Sequence, residues 1–120
     1  MSFVLSAGFL SSIWLAVHLF VGGRQIATPL LASDLAPLVR QTQYLCWHFT
    51  SVAIAAMAVL NLWAVITDDP AFALAAFLLA VGFATVGIGL VLRLGARHLD
   101  LPQGWLFVPV ALLGGLGLWL

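Results

Sequence analysis

The chain contains no lysine and no glutamate. The first absence excludes Schiff-base pigments and lysine nucleophiles. The second leaves only Asp34, Asp68, Asp69 and Asp100 as acids, and excludes a di-iron carboxylate centre, which needs several Glu and Glu-x-x-His pairs. None of the four acids falls within an apolar stretch, so the intramembrane carboxylate used by proton-coupled exporters is missing. The single cysteine, Cys46, forbids an internal disulfide and leaves the redox compartment open. Gly-x-Ser-x-Gly, His-Glu-x-x-His, phosphate-loop and paired-cysteine motifs are absent too. The formal net charge is zero, and nothing directs the chain toward nucleic acid.

What is present is apolar. Hydrophobic residues make up 64% of the 120 and charged residues 7%, where a soluble domain has about a quarter charged. Four apolar stretches, 3–22, 41–66, 71–92 and 101–120, each approach the length that a hydrocarbon core of ~30 Å requires at 1.5 Å per residue. None alternates polar and apolar residues as a barrel strand does, and in lipid a helix satisfies its own backbone groups. The expected fold is an all-α integral membrane protein, one domain over 1–120, with four transmembrane helices in an up-down bundle. The segment 24–40 is predicted to be the longest connection, partly helical. Its Ile26, Leu30, Leu31, Leu35, Leu38 and Val39 would rest in the headgroup region, as a turn on lipid or a lid over the inner face. The first stretch has no basic region before it and is followed by Gly22-Gly23-Arg24, so it reads as a retained helix and not a signal peptide.

The arginines set the expected orientation. Arg24, Arg40, Arg93 and Arg97 all border the two turns on one face, which the positive-inside rule makes cytoplasmic. Both termini would then lie outside, in a bacterial inner membrane. Trp63 and Trp119 fall at the outer interface and Trp105 at the inner one, as an aromatic belt requires. Local chemistry marks the boundaries: Asp69-Pro70 as a cap and first-turn proline, Asp100 with Gln103 as a capping box, Gly95 as a helix stop, and Ser33 or Asp34 as an early cap ahead of Pro37. Ala76, Ala80, Gly82, Thr85 and Gly89 in the third stretch, and Gly114, Gly115 and Gly117 in the fourth, predict close helix contacts or a self-association face.

Candidate chemistry sits near the arginine face. Ser11, Trp14, His18 and Gln25 form one helical stripe, and Gln41, Tyr44, His48 and Ser51 another. His18 and His48 fall at similar depth on neighbouring antiparallel helices, the arrangement by which a bundle holds haem b or a metal ion between two imidazoles. The expected cofactor-binding set is His18 and His48, with Tyr44 one turn away and Arg24 or Arg40 clamping an anionic group at the rim. A metal set would add His98. Asn61 is expected to make an interhelical hydrogen bond, and Cys46 to act as a small apolar filler. Three functions follow: a ligand-binding bundle serving redox, porphyrin or quinone chemistry; an accessory or assembly subunit of a larger membrane complex; and a small carrier or channel acting as a homo-oligomer. Membrane lipids are partners in each.

Overall fold

Proline, aspartate and glycine punctuate four helices in the computed structural model, which describes residues 1–120 and contains no strand. They are α1 (Ser2–Leu31), α2 (Pro37–Thr67), α3 (Pro70–Leu94) and α4 (Gln103–Trp119). Asp69 Oδ1 accepts the Ala71 N–H at 2.9 Å and Pro70 opens α3, as the sequence predicts. Gly95 ends α3 at φ 62, a left-handed conformation that a residue without Cβ adopts freely. Asp68 closes α2 in the same region at φ 54.

Other boundaries depart from the sequence reading. The segment 24–40 is helical over most of its length, more than the sequence suggests. Val17–Ala27 continues α1 as a π-helix, Thr28–Leu31 adds a final α turn, and α2 begins at Pro37. Only residues 32–36 connect the two helices, and neither they nor Leu30 and Leu31 border the cavity described below. Pro29, which has no N–H to donate, falls in the turn where the wider ladder gives way to α-helix. Both the Thr28 N–H and its Oγ1 reach the Gly23 carbonyl, which sits five residues earlier. Neither Ser33 nor Asp34 caps α2; its N-cap is Ala36, and Ser33 Oγ donates instead to the Leu30 carbonyl at 2.7 Å. The Asp100–Gln103 box does not form either: Pro102 occupies the N-cap of α4, and Asp100 lies 3.8 Å from Arg97 across an exposed turn.

α1, α2 and α3 are long and apolar enough to cross a membrane; α4, at 17 residues, is shorter. Each helix packs against its neighbour in the chain, and α4 returns to α1. The contacts run on small residues. Ala7, Ala76 and Ala80 join Ile54, Met57, Phe107 and Val110 in the core, and Ala64 and Ala73 meet Val4 near the chain ends. α3 and α4 cross where glycine meets glycine: a Cβ on Gly87 would stand 2.5 Å from the Gly104 Cα. At the other end of α4, a Cβ on Gly117 would collide with Val4. Without a hydrophobic force between helices in lipid, such close approach is what holds them together.

Large apolar side chains point outward. Only 19 of 120 residues are buried, while Phe20 is 72% exposed and Leu38 77%. That inversion of a water-soluble protein fits a surface bathed in hydrocarbon. Trp63, Trp105 and Trp119 are exposed near helix ends. Ser11 and Asn61 are the buried polar residues. Asn61 Nδ2 donates to the Met57 carbonyl of its own helix and its Oδ1 has no partner, so the interhelical bond expected from sequence is not made. Cys46 is exposed and fills no core space.

Candidate functional site

A cavity of about 560 Å³ opens among the arginine-bearing ends of the helices. Such a volume lies within the range of small-molecule sites. Its wall from α1 is a regular rib, Trp14, Val17, His18, Val21, Gly22, Gln25 and Ile26. α2 supplies Trp47, Thr50 and Ile54, and α3 supplies Phe83. The turn after α3 and the start of α4 close the end with Leu99–Gln103, Leu106 and Phe107. The lining is mostly apolar and aromatic, with His18, Gln25, Thr50, Asp100 and Gln103 as side-chain polar groups.

His18 is tied to α2. Its Nε2 lies 3.0 Å from Ser51 Oγ and 3.3 Å from the Trp47 carbonyl, and its ring stacks on the Trp47 indole at 4.5 Å with the planes 19° apart. Trp47 is the hub of this cluster. His48 meets its edge at 5.1 Å and 84°, Tyr44 lies parallel to it at 6.3 Å, and Tyr44 and His48 meet edge-on at 4.6 Å. Offset and edge-to-face pairs of this kind add stability beyond their buried area.

The structure therefore gathers His18, Tyr44 and His48 around one indole, and does not place His18 and His48 on a common cavity. His48 is exposed and forms no part of the wall. Both imidazoles contact the Trp47 indole, and of the two only His18 borders the cavity. Tyr44 also lies off the wall. Arg24 is exposed, and Arg40 Nη1 donates to the Ser33 carbonyl at 3.0 Å, so neither rims the cavity. His98 Nδ1 accepts the Trp105 indole N–H at 3.0 Å. Its neighbours Leu99–Gln103 border the cavity, but His98 does not. No group of three or more His, Cys, Asp or Glu side chains comes together.

The sequence reading missed Trp47, Thr50 and Gly22. The signal for the first two was available: the inward residues Asn61, Met57 and Ile54 recur every three or four positions, and the same steps backward reach Thr50 and Trp47. The stripe through Tyr44 and His48 sits about 100° round the helix from that face.

Comparison of the chain with protein-family models, with curated proteins and with solved structures finds no match.

Proposed function

We propose that this protein is a small polytopic membrane protein that binds an amphipathic, ring-bearing cofactor of the haem b or quinone class at the arginine-rich end of its helices, with His18 as the polar anchor. The cavity carries this reading: it combines an apolar aromatic lining with one imidazole held in a fixed pose by Ser51 and Trp47. On this reading all four helices span, with the arginine-bearing turns cytoplasmic and both termini outside a bacterial inner membrane. α4 is ~26 Å long at 1.5 Å per residue, and the remaining few ångströms are made up by its flanking residues and by local thinning of the bilayer. Its Gly104 lies against Gly87 and its Gly117 against Val4, which supports a helix running the depth of the others. The chemistry served is redox, porphyrin or quinone-related; a bare metal ion would find only His18 and Asp100 as ionisable side chains on the wall.

The test is the visible spectrum, metal content and organic extract of protein purified from its native membrane. A haem band or an extractable quinone, reduced in amount by His18→Ala, is the expected result. A colourless, metal-free protein that yields no ring compound would remove this reading.

A second reading, an accessory subunit or homo-oligomer, has one specific observation in its favour. Gly82 and Gly89 on α3 have nothing within 4 Å of where a Cβ would stand, so this small-residue face of the helix is free to receive another helix. Cross-linking in native membranes distinguishes it, since a monomeric protein yields no discrete adduct.

A further inference from the structure

The hydrogen bonds around His18 fix which of its nitrogens remains free, and that selects among cavity ligands. A backbone carbonyl only accepts, and the Trp47 carbonyl has two polar side-chain neighbours, His18 Nε2 at 3.3 Å and Ser51 Oγ at 3.2 Å. The Ser51 hydroxyl has one proton, which it gives to this carbonyl within its own helix. The Nε2 contacts to the carbonyl and to Ser51 Oγ are then both met when Nε2 carries the ring proton. The neutral imidazole keeps its lone pair on Nδ1. That nitrogen has no hydrogen-bond partner in the protein, and a Cβ added to Gly22, itself a wall residue, would lie 4.0 Å from it.

One turn earlier on the same rib, Trp14 presents the opposite need. Its indole lines the cavity, and its buried N–H has no acceptor. A buried donor left unpaired is costly, so an acceptor from a bound molecule stabilises the complex. Four residues apart on α1, the rib thus carries an acceptor at His18 and a buried, unpaired donor at Trp14, with Phe83, Phe107 and Ile54 supplying apolar surface nearby.

We infer that the occupant is a hydroquinone-class ring with an apolar tail. This rests on the cavity reading above and narrows it. A phenolic hydroxyl donates to His18 Nδ1, and a ring oxygen accepts from Trp14. One hydroquinone supplies both, whereas the oxidised quinone supplies acceptors only and leaves Nδ1 unpaired. A haem would meet the same lone pair through its iron, with no hydroxyl in the contact.

The experiment follows tryptophan fluorescence of the whole protein in lipid nanodiscs, without oxygen. Four probes are titrated: a decyl-substituted hydroquinone, its bis-methyl ether, the matching oxidised quinone, and haemin. The hydroquinone is expected to bind at least about tenfold more tightly than the ether or the oxidised form, the scale of one lost hydrogen bond to a buried partner. His18→Gln, whose amide substitutes for Nε2 toward Ser51, is expected to erase that preference. His18→Asn, whose carbonyl oxygen substitutes for Nδ1, is expected to keep most of it. Equal affinities for hydroquinone and ether in the unaltered protein would overturn the inference, whatever the variants do. Haemin binding without hydroquinone binding would also overturn it while leaving the cavity reading standing. Failure of all four probes would sink both.

Discussion

Replacing Gly87 with alanine tests the helix crossing on which the whole arrangement depends. The new Cβ would stand 2.5 Å from the Gly104 Cα and 2.8 Å from its nitrogen, against 3.4 Å or more in ordinary contact. The conflict is with backbone, so no side chain can rotate away; α3 and α4 must part by about 1 Å over that turn. Overpacking of this kind costs about 1–3 kcal/mol. Alanine recovers about 0.5–1 kcal/mol over glycine within a helix. The net expectation is a loss of up to about 2.5 kcal/mol, with Gly104→Ala behaving alike because its Cβ would stand 2.6 Å from the Ile88 nitrogen. Gly89→Ala is the control, since nothing lies within 4 Å of its Cβ, and it is expected to be neutral or stabilising. Gly114→Ala, at 3.5 Å from the Phe77 Cβ, falls between. Unfolding of each variant in detergent, followed by circular dichroism, gives the comparison. Equal stabilities of Gly87→Ala and Gly89→Ala would refute the crossing.

Further outcomes are expected. Asp69→Ala removes the side-chain cap of α3 and should lower stability by about 1 kcal/mol in the same unfolding assay, whereas Asp69→Ser should retain most of it. Asn61→Leu replaces a buried amide whose oxygen is unpaired with an apolar group of similar size, so stability should hold or rise; a clear loss would mean that Asn61 Oδ1 is paired in the membrane. Reporter fusions after Asp34 and at Leu120 should report opposite sides, and a cytoplasmic C-terminus would reverse the orientation.

Much of the fold is written in the composition, because four apolar stretches in so short a chain leave helices as the only economical way to satisfy the backbone in lipid. Asp69, Pro70 and Gly95 mark their boundaries by local stereochemistry, and that is legible one residue at a time. The run after Gly22 is not. Gly-Gly-Arg and Thr-Pro are loop signals in water, yet here a change of hydrogen-bond ladder carries the helix through both. The candidate site was half legible. His18 was found by its depth and its stripe. His48 was misplaced because equal depth says nothing about azimuth, and one residue of phase separates the Trp47 face from its own.

The π segment solves a problem of phase. Four residues of α-helix advance about 400°, so a period-four pattern slips by about 40° at each repeat. Over the three repeats from Trp14 to Ile26 the slip reaches about 120°, enough to carry the last member out of the cavity. Yet Trp14, His18, Gly22 and Ile26 all border it, as do Val17, Val21 and Gln25. The wider turn of Val17–Ala27 acts as a vernier that holds sequence and wall in step. Wound as α-helix with the same residues, the segment would swing Ile26 about 120° away from Trp14. Ile26 would leave the cavity while Trp14 stayed, so the hydrogen-bond ladder alone, with no change of sequence, decides part of the pocket's lining.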